Sequence, residues 1–302
     1  MTLLNNANDG LPPELIVLFR TIAYFKNIAY EDLLSLCLPK IMGENDDTVK
    51  IRLRGSLNSW IKLGLFEKSG DNVQLNVRFE KVKKSDIDIY TYELPQIALE
   101  FVCQPKNATP IWEDSSSQGV TADFIRAASW LLSQDIYTFP TTWADVGSLS
   151  AKQSLNPAPI ILNDFRWGSL RFWMRYFGLA TGESSSFKID PTVAIKSQLK
   201  QIFRNNKELP AKDFLMSLSE KLPILDFGEY RNQVEKNLND NVLRRLNNNE
   251  LSQSLSFALR RLELNGNIQL RGKSDTGSSY RLMGSDYRPW AGFETVSWDK
   301  KI

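Results

Sequence analysis

The side chains whose spacing suits chemistry are cations and an amide. Lys50, Arg54 and Asn58 recur at four-residue steps, with Arg52 and Lys62 beside them, and residues 48–62 hold four basic side chains and no acid. On a helix, four-residue steps share one face. Such a face can lie against DNA and neutralise its phosphates. A charged stripe is equally the ordinary solvated face of a helix, and both readings stand at this point. Lys68 lies on the strand that enters a Ser-Gly-Asp-Asn turn, at the arm of an expected hairpin. Arg271, Lys273 and Arg281 bracket a Gly- and Ser-rich turn near the other end of the chain, within reach of phosphates. Arg171 and Arg175 stand one helical turn apart in an aromatic run. That combination serves stacking on single strands, and it also describes a packed helix with snorkelling arginines. The helical spacing of the aromatic residues favours packing.

Other chemistry is excluded by what is missing. The chain has no histidine, which removes Ser-His-Asp and Cys-His nucleophile systems, HExxH sites and imidazole proton shuttles. There is no GxxxxGK[ST], GxGxxG or GxSxG pattern. Acids occur singly or in adjacent pairs such as Asp46–Asp47, as in solvated loops. No catalytic residue, metal or cofactor is expected, and the chain reads as a protein that is not an enzyme. Two distant cysteines, Cys37 and Cys103, fit a reducing cytoplasm and no disulfide framework. The polar start carries no leader pattern, and no apolar run suits a membrane span. A cytoplasmic location is therefore expected, with no membrane partner. With 37 basic and 35 acidic residues, a net charge of +2, any nucleic-acid binding must come from local patches.

The elements that hold these groups read as three units: 1–92, 93–205 and 206–302. In the first, Leu15, Leu18, Ile22 and Phe25 form a helical stripe after Pro12–Pro13. A short helix with Tyr30, Leu33, Leu34 and Leu36 apolar ends at Pro39. The basic helix, capped at Asp46 or Asp47, turns Leu53, Leu57, Trp60 and Ile61 inward, and Gly64 stops it. A hairpin over 66–75 follows. Three helices and a hairpin make a winged helix-turn-helix pattern, in which the third helix enters the major groove.

The middle unit opens near Glu93–Pro95, with a helix capped at Thr121, a stretch after Pro140 that Pro157 and Pro159 end, and the aromatic helix at 163–177. The last unit has Phe214, Leu218 and Leu222 on one helix, then Tyr230 and Val234 on another. A helix over 250–263 follows, with Ser252, Gln253, Ser256 and Arg260 expected outside. Strands at Ile268–Leu270 and Tyr280–Leu282 are expected to form a wing. The aromatic tail, with Trp290, Phe293 and Trp298, is read as docking onto the core or a partner. Leu63-Gly64-Leu65-Phe66, Phe177-Gly178-Leu179 and Leu264-Asn265-Gly266-Asn267 are similar endings that suggest a repeated fold. The expected class is mainly α with small β-hairpins (α+β), in tandem winged helix-turn-helix-like modules.

The block Asp164-Phe165-Arg166-Trp167-Gly168, with Trp173, Tyr176-Phe177-Gly178-Leu179-Ala180 and Phe187-Lys188-Ile189-Asp190-Pro191-Thr192, resembles the DpdG family of bacterial proteins. The likeness extends over nearly the whole chain and rests on aromatic, Gly and Pro positions. That family belongs to gene clusters that place 7-deazaguanine derivatives in DNA and restrict unmodified DNA. The resemblance implies an accessory, non-catalytic role in phage defence beside ATPase- or helicase-like partners, and it supplies no catalytic residues. Three functions are thus set side by side: a subunit that binds double-stranded DNA, an adaptor that docks an ATPase, helicase or nuclease, and a transcription regulator.

Overall fold

A computed structural model describes residues 3–4, 12–38, 47–112, 118–155, 160–272 and 279–298. Over these residues the chain is mainly helical, with four small antiparallel sheets. The expected stops at Pro39, Pro157 and Pro159, the cap at Asp46, and the turn that carries Lys273 lie outside the described residues.

The first elements are α1 (Pro12–Phe25), β1 (Asn27–Ala29), α2 (Tyr30–Cys37), α3 (Asp47–Leu63), β2 (Phe66–Ser69) and β3 (Asn72–Leu75). Their sheet has the order β1-β3-β2. Leu15, Leu18 and Ile22 bury against Leu53, Leu57 and Trp60 in one core. Phe25, expected inward, is 50% exposed. Lys26 takes a left-handed φ of 69° and turns the chain there. Leu36, one of the apolar residues of the short helix, is exposed.

The helix α4 (Ile87–Val102) runs through the expected division near residue 93, with Pro95 inside it. A short α5 (Pro105–Ala108) leads to α6 (Ala122–Leu132), which is buried along its whole length. Next come α7 (Trp143–Gln153), α8 (Asp164–Tyr176), β4 (Ala180–Thr181) and β5 (Lys188–Ile189), the two strands forming a hairpin.

The remaining elements are α9 (Thr192–Phe203), β6 (Glu208–Pro210), α10 (Ala211–Lys221), α11 (Glu229–Glu235), α12 (Gln253–Leu264), β7 (Ile268–Arg271), β8 (Tyr280–Met283), β9 (Pro289–Phe293) and β10 (Thr295–Trp298). The α9 helix packs on α10 and α12. The strands β7 and β8 are not the two arms of one hairpin. β10 lies between β6 and β7, and β8 pairs with β9. The tail wins these edges because it brings apolar residues to bury: Phe293 is 1% exposed, Val296 is buried, and Trp298 stacks on Phe203 at 5.7 Å. The order β6-β10-β7 has the same connectivity as β1-β3-β2: the first strand precedes the second helix, and the last strand lies in the middle.

Three helices end alike. Gly64, Gly178 and Gly266 have φ of 87°, 70° and 69°. The next N–H returns to a carbonyl five residues back, Leu65 to Trp60, Leu179 to Met174 and Asn267 to Leu262. This is the glycine-stopped helix end that satisfies otherwise orphaned carbonyls. At Gly178 a Cβ would also stand 2.8 Å from the Val193 side chain, whereas at Gly266 it would meet nothing within 4 Å. Gly266→Ala is therefore expected to lose about 1 kcal/mol. Gly178→Ala should lose about 2–3 kcal/mol, since overpacking adds to the backbone strain. Urea midpoints would check this, and equal losses would contradict the steric part.

Candidate nucleic-acid interface

The α3 face is built by three elements. α3 gives Arg54 and Asn58, α2 gives Tyr30 and Glu31, and β2 gives Lys68. Arg54 Nη2 donates to both carboxylate oxygens of Glu31, at 3.2 and 3.3 Å. The Tyr30 hydroxyl donates to Asn58 Oδ1 at 2.9 Å. Lys68 Nζ lies 4.9 Å from the Tyr30 ring centre. Burial raises the Tyr30 phenol above its usual range, which keeps it a neutral donor. With its oxygen engaged, Asn58 has its amide N–H groups left to offer. Lys50 and Lys62 are exposed at the two ends of α3, with no ion-pair partner among the described residues.

Arg52 does not join this face. Two residues from Lys50 is more than half a turn of helix, and Arg52 points toward α1, 3.6 Å from Glu14. Its Nε is buried without a hydrogen-bond partner.

The aromatic arginines sit in packing. Arg171 lies over the buried Trp167 ring at 5.1 Å. Arg175 pairs with Glu183, just beyond β4. Trp173 stacks on Phe177 at 5.1 Å and meets Trp60 edge-on at 6.2 Å. The aromatic run, whose helical spacing favoured packing, supports α3 from behind.

The C-terminal cations are dispersed. Arg271, on β7, donates to Gln269 at 2.8 Å and to Glu208 at 3.4 Å. Arg281, on β8, is exposed and belongs to the other sheet. Lys273 lies outside the described residues. The helix face expected outside is a correction: Ser252, Gln253 and Ser256 are buried, and Arg260 alone of the four is exposed. Their polar atoms are spent on neighbouring segments. Gln253 accepts the Ile136 N–H at 3.2 Å and donates to the Gly284 carbonyl at 2.9 Å. Ser256 accepts the Met283 N–H at 2.9 Å, and the neighbouring Ser254 donates to Leu132 O at 2.6 Å. The first turns of α12 are therefore closed in, while α3 keeps an open polar face. Of the three tail aromatics, Phe293 is core and Trp298 is half-buried. Trp290 is 47% exposed and meets Tyr137 edge-on at 6.5 Å.

Tyr30 was read only as an apolar residue of α2. The signal that would have marked it is the adjacent Tyr30-Glu31 pair at a helix start, a donor and an acid able to face α3. Burial pushes the Cys103 thiol up to about 12, which removes thiolate chemistry at neutral pH. No cluster of His, Cys, Asp and Glu able to hold a metal occurs among the described residues. No helix among them is long and apolar enough to cross a membrane.

A family model described as DpdG-like matches residues 1–276. Among curated proteins and among solved structures, nothing matches.

Proposed function

The chain belongs to the DpdG-like family, and from that premise we propose that it is a non-catalytic accessory subunit that binds double-stranded DNA in a bacterial modification and restriction system. We read 12–75 as a winged helix-turn-helix module, with α3 as the helix that meets the major groove and the β2–β3 hairpin as its wing. The observation that carries this reading is the open cluster of Arg54, Asn58, Tyr30 and Lys68 between Lys50 and Lys62. Cations at both ends suit phosphates, and the amide between them suits a base edge. The same connectivity about α9, α10 and α12 supports a second module of this kind. Its buried α12 face suits a role in holding the chain together, not in reading DNA.

The Arg54–Glu31 pair is exposed and of little worth to stability. A phosphate competes with Glu31 for the same guanidinium. Lys50→Ala/Arg54→Ala is expected to weaken duplex binding about tenfold or more and to flatten its salt dependence by about two phosphate contacts. Glu31→Gln is expected to tighten binding about two- to fivefold, by freeing Arg54. Fluorescence anisotropy with a labelled duplex reads both. Unchanged binding in both variants would remove α3 from the interface.

A docking adaptor is the second reading. It is favoured by the exposed aromatic and aliphatic residues on α1 and α4: Tyr24, Phe25, Ile89 and Tyr92, the last 86% exposed. Apolar surface of this kind commonly marks protein contact. Co-purification with an ATPase- or helicase-like neighbour that Tyr92→Ser/Ile89→Ser abolishes would support it, and a complex indifferent to that variant would oppose it.

A further inference from the structure

A cleft of about 470 Å³ lies between the end of α6, α7 and the segment before α12, a size within the range of about 300–1,000 Å³ usual for small-molecule sites. Tyr287 forms part of its wall on strained backbone. Asp286 and Tyr287 both have φ of 54°, a region that bulky side chains avoid and that gathers at ligand clamps. The Arg244 guanidinium lies over the Tyr287 ring at 4.5 Å. Phe139 adds a second aromatic wall.

Deeper in, a space of about 20 Å³ shares Leu243, Arg244 and Tyr287 with the cleft and is lined by Arg231. That arginine is 2% exposed. Its Nε donates to Glu235 at 2.5 Å, its Nη2 is 3.9 Å from Asp226, and its Nη1 is buried with no acceptor. A buried guanidinium N–H without an acceptor is costly, and a space of this size takes about one water molecule, which can accept from it. Lys152 stands at the cleft rim with no ion-pair partner among the described residues. Two acids of the cleft are engaged locally: Asp135 accepts the Tyr137 N–H at 2.9 Å, and Asp145 the Thr142 hydroxyl at 2.6 Å.

We propose that this cleft binds a nucleoside monophosphate, its phosphate accepting from Arg244 and Lys152 and reaching Arg231 only through a water in the small space, and its base lying against Phe139 and Tyr287. The volume far exceeds what a bare anion needs, and the aromatic walls suit a flat ring. Arg244 and Lys152 supply the cations of the cleft. A base can also stack on an arginine plane such as that of Arg244.

The test is calorimetric titration of the full chain with each deoxynucleoside 5′-monophosphate, the matching nucleosides, inorganic phosphate and a single-stranded tetranucleotide. At least one monophosphate should bind saturably, with nucleoside and inorganic phosphate each weaker by about tenfold or more. Arg244→Ala, a partly exposed position, should weaken the monophosphate by about tenfold. Tyr287→Phe should stay within about twofold of the parent, and Tyr287→Ala should lose binding. If the tetranucleotide competes as well as the monophosphate, the ligand is a strand end; if it does not, the ligand is a free nucleotide. Absence of monophosphate heat, equal affinity for inorganic phosphate, or indifference to Arg244→Ala would overturn the proposal. Duplex anisotropy of Arg244→Ala should match the parent, which separates this site from the α3 face.

Discussion

Trp60→Ala should lower the unfolding free energy by about 3–5 kcal/mol, the usual cost of deleting a buried indole from a packed core. Trp60 is fully buried on the inner side of α3. Its ring meets Trp173 of α8, which stacks on Phe177, so the loss strips both the N-terminal core and its junction with the middle of the chain. Its carbonyl also accepts the Gly64 and Leu65 N–H groups that end α3. A loose α3 cannot hold Lys50, Arg54 and Asn58 in register, so duplex binding should fall together with stability. Ile51→Ala is the control. That residue is exposed on the same helix, and its loss should stay within about 0.5 kcal/mol. Urea unfolding followed by tryptophan fluorescence measures both. A Trp60→Ala loss below about 1 kcal/mol would show that the indole does not anchor the helix.

Arg231→Ala should cost a similar amount, about 3–5 kcal/mol at neutral pH, because removing one partner of a buried ion group strands the others. Arg231 lies between Asp226, which is buried, and Glu235. Asp226 also accepts the Ser252 N–H at 2.6 Å and the Ser252 hydroxyl at 2.7 Å. Burial already raises its carboxyl above the usual range, and Arg231 is the main group that opposes the rise. Without Arg231 the folded-state pKa climbs further. For an acid whose folded pKa exceeds its unfolded one, the native state binds the extra proton between the two values, so stability falls as pH rises through that window. The deficit of Arg231→Ala should therefore be smaller at pH 4 than at pH 7, since the raised carboxyl of the fold holds its proton to a greater extent at the lower pH. Urea midpoints of variant and parent at both pH values decide it. A deficit that does not change with pH would mean that lost packing, not stranded charge, dominates.

Much of this was legible in the chain because local physics decided it. The helix stops at Gly64, Gly178 and Gly266 follow from one residue able to take a positive φ, and all three close in the same way. The apolar periodicity of α1 and α3 named their buried sides, apart from Phe25, where the chain turns at Lys26. The four-residue step of Lys50, Arg54 and Asn58 found the open face of α3. What local reading missed depends on distant segments. Nothing near Ile268 or Tyr280 says that the tail supplies the strand partners for both, Trp298 opposite Ile268 and Phe293 opposite Tyr280. Nor does the polarity of Ser252, Gln253 and Ser256 announce burial. These side chains look solvated until Ile136, Gly284 and Met283 arrive to use their hydrogen bonds. For Arg171, by contrast, the helical spacing of its aromatic neighbours already favoured packing, and its guanidinium lies over the Trp167 ring. Arg52 was separable in principle, since it falls off the four-residue step, but its partner Glu14 is invisible without the fold.

The α3 face and the nucleotide cleft are separate surfaces, one at the N-terminal sheet and the other beside α7 and the Tyr287 turn. Each is therefore best measured alone. The duplex comes first: anisotropy of a labelled duplex with the full chain, over a salt series. With Lys50, Arg54, Lys62 and Lys68 on phosphates, the slope of log affinity against log salt should be roughly −3 to −4. No binding at low salt, or binding indifferent to salt, would contradict a DNA-binding α3 face.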